Sequence, residues 1–257
     1  MTSEPLGREL IEEFAGALRD RPPDVLTPID EGAPVSGHFT PPARATHPTD
    51  APEHDWTAAR DRLFPLLRPV GTGGVPVDSL HDPTTLSRAP SHVHPVVAEA
   101  PCGLVVAFTI EAHGFDVLVN EEHLLSWGIG SAALQDAALR NLGAWSERVG
   151  WINESSGDRH LVSSDSGQGH DAARILLPQV RRFLRRELTG NGAPPGTRIL
   201  VGLPERHLLV VGALVPSDGE FVGLFREFVI EQAAAAEEPI DRRTFELVGD
   251  ELVEFEG

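Results

Sequence analysis

Leu104-Val-Val-Ala-Phe-Thr-Ile-Glu111, then Ala112-His-Gly114, then Phe115-Asp-Val-Leu-Val119, is the stretch on which the fold class turns. Two runs rich in β-branched and aromatic residues flank a short glycine-containing turn, which predicts a hairpin of antiparallel strands. The same pattern recurs downstream. Thr197-Arg-Ile-Leu-Val-Gly-Leu-Pro204 precedes His207-Leu-Leu-Val-Val-Gly-Ala-Leu214, and residues 243–248 face residues 251–256 across Gly249-Asp250. Helical periodicity fills the intervals. Asn120 is placed to cap a short helix through Trp127, and residues 131–148 carry Leu134, Ala138, Trp145 and Val149 along one face. Residues His160 to Ser164 read as a strand. A helix is expected from Asp171 to Leu188, closed by Gly190. Ser217 and Glu220 have capping-box spacing for another over 218–236. Strand pairs joined by short turns imply an α+β fold, with antiparallel strand pairs interleaved with helices around a mixed or antiparallel sheet.

Working outward to the N-terminus, residues 5–19 place Leu10, Ile11, Phe14 and Leu18 at helical spacing. Residues 20–53 are rich in Pro, Thr, Asp and Ala and poor in large apolar side chains, the composition of a linker or mobile loop. A helix is predicted from Asp50, with Pro52 in its first turn and Glu53 at the capping-box position. It runs through Trp56, Leu63 and Leu67 to a stop at Pro69. Residues 71–100 are again rich in Gly and Pro. The expected organisation is an N-terminal helix over 1–19, a Pro-rich linker over 20–53, and an α+β domain over 54–257.

The 257 residues include 40% hydrophobic and 23% charged, ordinary globular usage, and a chain of this size can bury a sizeable core without disulfides or metal. The single cysteine, Cys102, excludes an internal disulfide, and a buried, inert thiol is the expectation for it. Met1 to Gly16 has an acidic helical pattern in place of a basic leader with an apolar stretch, and no apolar run approaches the roughly 20 residues that span a bilayer. A cytoplasmic location is therefore expected. There is no lysine, so all 21 basic residues are arginine. Codon usage in a GC-rich genome accounts for that; selection against lysine-directed tagging is the sharper alternative. The formal net charge of −18 is uneven. Residues 1–55 carry eleven acids against four arginines, 56–217 sixteen against fourteen, and 218–257 twelve against three. Such a surface repels nucleic acid and anionic membranes at long range and favours solubility.

Asp165-Ser-Gly-Gln-Gly-His-Asp171 precedes a predicted helix, and glycine-rich loops in that position can hold an anion on free backbone N–H groups. The segment lacks the lysine and spacing of a P-loop. Asp171 is expected to cap its own helix, with Arg174 reaching a carbonyl or carboxylate near Pro204–His207. Further along, Arg174, Arg181, Arg182, Arg185 and Arg186 fall on one face of an ideal helix, opposite Ala172, Leu176, Val180, Phe183, Leu184 and Leu188. That face would bind an anion or an acidic segment, or pair with the acidic C-terminal region of the same chain. His92 and His94 lie at i, i+2, with Glu99 or His113 as a third group, but a converging set of three or four metal ligands is missing. No metal and no cofactor are expected. GxSxG, HExxH and CxxC motifs are absent.

Several segments taken together resemble the YtpQ-like family of bacterial cytosolic proteins, a family with a domain of unknown function. They are Leu66-Leu-Arg-Pro-Val70, then Trp127 followed by Ala138-Leu-Arg-Asn-Leu142, then Gly169-His-Asp-Ala-Ala-Arg-Ile-Leu176, which is similar to the family's G-Y-D-A-S-R-I-L. Gly202-Leu-Pro-Glu-Arg-His-Leu-Leu209 is similar to its V-P-x-x-D-x-L, and Pro239-Ile-Asp241 with residues 245–256 matches its closing hairpin. The order and spacing agree over residues 55–256. Ala173 stands where the family has serine, and His207 where it has aspartate. The resemblance implies a fold and not a mechanism.

With no catalytic constellation in view, the sequence reads as a non-catalytic cytoplasmic binding, adaptor or regulatory protein with a protein partner. The alternative is an enzyme or small-ligand protein. Its anion or ligand-binding candidates are Gly167, Gly169, His170, Asp171, Arg174, Arg206 and His207.

Overall fold

The computed structural model describes residues 55–77, 94–112, 115–190 and 192–257. The helix expected over 5–19, the linker over 20–53, and His92 and His113 lie outside them. The described chain is α+β, with two sheets. The first has strand order β1-β4-β3-β2, with β5 also on β4. Its members are β1 (Leu63–Arg68), β2 (Val75–Pro76), β3 (Val96–Glu99), β4 (Val105–Ala112) and β5 (Phe115–Leu118). The β2–β3 pair is parallel, which makes this sheet mixed. The second has the antiparallel order β11-β10-β8-β9-β7-β6. It comprises β6 (Ile152–Ser156), β7 (Arg159–Ser164), β8 (Arg198–Glu205), β9 (Leu208–Leu214), β10 (Thr244–Val248) and β11 (Glu251–Glu254).

The β4–β5, β8–β9 and β10–β11 hairpins fall where the alternating runs put them. Strands β8 and β9 are apolar almost without interruption because both faces of their sheet are covered. Ile199, Val201 and Leu203 join the main core with Leu63, Phe108 and residues of both sheets. Leu200, Val210 and Leu214 face the other way, onto α5 (Gly219–Ala235) through Phe221, Phe225 and Val229. The contact is close at Gly212, where a Cβ would lie 2.8 Å from Cζ of Phe221.

Short helices complete the frame. Asn120 caps α2 (Glu121–Trp127), its Oδ1 accepting from the His123 N–H while His123 Nδ1 accepts from the Asn120 N–H. Helix α3 (Ser131–Ser146) packs on β1.

Three expectations are corrected. The helix through Trp56, Leu63 and Leu67 is a single turn, α1 (Trp56–Ala59), then a 3-10 turn, then strand β1. Pro65 forbids a continuous helix because it has no N–H to donate, and a proline is tolerated in β1 because β1 is a sheet edge. Asn141 Nδ2 donates to the carbonyls of Arg60 and Leu63 and holds that junction. The helix expected over 171–188 is two pieces, a 3-10 segment Ala172–Leu176 and α4 (Pro178–Thr189). Pro178 starts α4 and forces Leu177 into an extended conformation. Residues 152–156, to which no element was assigned, form the polar edge strand β6. Asp218, not Ser217, caps α5, accepting from the Phe221 N–H. No helix among the described residues is long and apolar enough to cross a membrane.

Candidate functional site

The loop from Ser163 to Asp171 is held by a buried polar network. Asp171 is fully buried, and it does not cap the segment that follows. A capping residue needs extended backbone angles, and Asp171 already has helical ones, φ −62° and ψ −50°. Its carboxylate turns back onto the loop instead. It accepts from Ser164 Oγ at 2.5 Å, from the Ser166 N–H at 3.0 Å and from Ser166 Oγ at 2.7 Å.

Arg174 is not part of an exposed arginine face. It is 1% exposed. It also does not reach Pro204–His207. Its Nε donates to Ser146 Oγ; Nη1 donates to Ser164 Oγ and the Gly150 carbonyl; Nη2 donates to the carbonyls of Ser146 and Val149. All five guanidinium N–H groups have acceptors. Three of these acceptors are carbonyls at the C-terminal end of α3, where helical partners run out and a cation is favoured. The guanidinium also lies 3.6 Å from the ring centroid of Trp151. Burial pulls its pKa down to about 10, opposed by the Asp171 charge, so it remains positive at neutral pH. Ser164 Oγ links the pair, giving its proton to Asp171 while accepting from Arg174. The network is closed: its charges neutralise each other inside the fold.

His170 is equally enclosed. Its ring stacks on Phe64 with centroids 4.0 Å apart, meets Trp145 edge-on, and places Nε2 2.7 Å from Glu111 Oε1. It ties β1, α3 and β4 to the loop. Gly167 and Gly169 supply positive φ values of 74° and 81°. Gly169 has a second role, because a Cβ there would lie 2.5 Å from Nη2 of Arg206.

That contact joins the loop to the turn between β8 and β9. The Ala172 N–H donates to the Arg206 carbonyl, and Arg206 pairs with Asp116 of β5 at 2.5 Å. The structure thus brings Gly169 and Arg206 together and gives them partners different from those of Asp171 and Arg174. The open space is elsewhere. A cleft of about 410 Å³ lies between the β8–β9 turn and the C-terminal end of α5, lined by Glu205, Arg206, His207, Gln232, Glu237 and Glu238 together with Ala235 and Ala236. Neither Asp171 nor Arg174 lines it. Within the turn, Arg206 Nε and His207 Nδ1 are buried without a hydrogen-bond partner. Burial raises the pKa of Glu205, with His207 opposing and Asp165 adding to the shift.

Ser146, Ser164, Ser166 and Glu111 were not singled out in the sequence. A serine at the inward end of an apolar strand, Ser164 after Leu161 and Val162, is the signal that was available. Gln232, Glu237 and Glu238 carry no sequence signal, since only the packing of α5 on β8 brings them to the turn. Among the described residues no group of three or more His, Cys, Asp or Glu side chains is arranged to hold a metal ion. Cys102 sits at φ 59°, half-buried, its thiol donating to the Leu252 carbonyl. No family model, no curated protein and no solved structure matches this chain, and the YtpQ-like resemblance rests on the motifs quoted above.

Proposed function

We propose that this protein is a non-catalytic binding protein of adaptor or regulatory type, and that the cleft beside the β8–β9 turn is its partner-facing site. The observation that supports this reading is a division of polar groups. Those of Asp171 and Arg174 are committed to internal partners, whereas the Arg206–His207 turn holds two orphaned polar atoms beside an open cleft. A buried polar atom without a partner costs about 1–3 kcal/mol, so this turn carries polar groups that the fold itself leaves unmet. A small-ligand or enzymatic reading of the same cleft is favoured by its volume, which is in the range of about 300–1,000 Å³ typical of ligand pockets. Affinity capture from the native cell, with mass spectrometry of both proteins and bound metabolites, separates the two. The expected result is a protein that co-purifies with the native chain and is lost with Arg206→Ala/His207→Ala. Loss of a metabolite instead supports the second reading, and capture unchanged by the substitutions defeats both.

A further inference from the structure

The cleft at the β8–β9 turn is negative from two sources. The first is side-chain charge. Glu205, Glu237 and Glu238 line it, and Asp165 acts on Glu205 from just beyond β7. Two guanidinium groups stand against them, both already engaged. Arg206 pairs with Asp116 and Glu238, and Arg68 with the same Glu238. With Asp116 counted, five carboxylates face two arginines, and His207 adds a charge only when protonated. The second source is the helix end. A helix C-terminus carries partial negative charge and favours a cation, yet the last turn of α5 holds no basic residue and the chain runs on into Glu237 and Glu238. Acids in that position cost the fold stability that neutral residues would not.

Glu205 is where the mismatch is greatest. Its carboxylate is half-buried and has no hydrogen bond or ion pair among the described residues. Burial pushes its pKa up, with His207 opposing and Asp165 adding to the shift. Glu237, which is exposed, is also without an ion pair among the described residues. An anion entering the cleft would be repelled by these groups. A neutral occupant would strip more water from Glu205 without compensating its charge. A cation relieves both. Ala235 and Ala236 form small, apolar parts of the wall, beside which the methylene stem of a long basic side chain can lie while its head meets the carboxylates. We infer, on the reading of this cleft as the partner-facing site, that its occupant is a basic side chain, arginine or lysine, presented by a partner polypeptide. The net charge of −18 adds long-range attraction for such a partner and speeds the encounter.

The test is an NMR titration of the isotope-labelled full chain with acetyl-Gly-Arg-Gly-amide, acetyl-Gly-Gln-Gly-amide and acetyl-Gly-Glu-Gly-amide as probes. The arginine peptide should give saturable shifts in the amide signals of residues 205–207 and 232–238, and the other two should not. Glu205→Gln/Glu237→Gln should weaken its binding by about tenfold or more, the scale of losing one side of a charge pair. A thermal melt should show that variant at least as stable as the native protein, because the half-buried charge is gone. Glu237→Gln alone, at an exposed position, should weaken binding in the same direction. So should about 1 M salt, where the screening length is about 3 Å. Absence of shifts with the arginine peptide, or binding indifferent to both variants, overturns the inference. Equal or tighter binding of the glutamine or glutamate peptide at the same residues overturns the choice of a cation and leaves the partner-facing reading standing. Free spermidine that binds there more tightly than the arginine peptide overturns the polypeptide source and assigns the cleft to a small amine. Failure of the partner-facing reading shows separately, as native-cell capture unchanged by Arg206→Ala/His207→Ala.

Discussion

Replacing Arg174 with alanine should be among the most damaging single changes to this fold. The substitution removes five donated hydrogen bonds and the cation facing the fully buried Asp171. It leaves the carbonyls of Ser146, Val149 and Gly150 without their donor and a carboxylate without its counter-charge. Removing one partner of a buried charge pair costs about 3–5 kcal/mol, because the remaining charge stays desolvated. A domain of this size loses about 2–4 °C of melting temperature per kcal/mol, so Tm should fall by about 6–20 °C. Arg174→Lys keeps the charge but offers three donors in place of five. It should cost an intermediate amount, about 1.5–3 kcal/mol, the value of a charge-assisted hydrogen bond. Asp171→Ala should resemble Arg174→Ala, and the double variant should cost less than the two together, since each single change strands the other residue. Thermal unfolding followed by circular dichroism measures the native protein and the four variants on one scale. A Tm for Arg174→Ala within about 2 °C of the native value would refute the structural role, because it corresponds to less than about 1 kcal/mol.

Glu205→Gln should raise stability at neutral pH and change nothing well below the carboxylate range. Burial raises the folded-state pKa of Glu205, so ionisation is costlier in the folded protein, and that cost is present above the folded pKa and absent once both states are protonated; denaturant midpoints at several pH values check it. Asp218 behaves oppositely. The Arg159 guanidinium lowers its pKa, so its contribution is fully present above the unfolded value of about 4 and is lost as pH falls through the depressed folded value. Asp218→Ala should flatten that acid limb and cost about 1 kcal/mol through the lost cap on α5. Gly169→Ala should cost about 1–2 kcal/mol from its left-handed backbone alone and should displace Arg206 from Asp116, seen as a lower Tm. The Cys102 thiol, its pKa pushed up chiefly by burial, should react with an alkylating reagent more slowly than a free cysteine at neutral pH, measured by mass spectrometry over time.

Local chemistry made the hairpins legible. The β4–β5, β8–β9 and β10–β11 pairs, the Asn120 cap and the α+β class follow from alternating apolar residues, turn glycines and side-chain caps, all of which act over a few residues. Pro65 and Pro178 were equally local signals. They mark the strand β1 and the break before α4, and apolar spacing alone runs across both of them. The arginines show the limit of periodicity. Arg174 and Arg182 share a face on an ideal helix, yet one is enclosed beside Trp151 and the other stands in solvent. The separation comes from the break at Leu177, followed by the docking of the 172–176 segment against the end of α3. The partners of Asp171 and Arg174 lie up to 28 residues away in sequence, and Arg206 meets Asp116 across 90. No short-range pattern encodes such distances. The sequence by itself determined the three hairpins, the strand over His160–Ser164, most of the helices and the lopsided charge, because these depend on neighbouring residues, whereas β1, β2, β3 and β6 did not follow from it. Only the tertiary structure decided which polar residues are enclosed and which border a cleft, because that depends on how two sheets share one core.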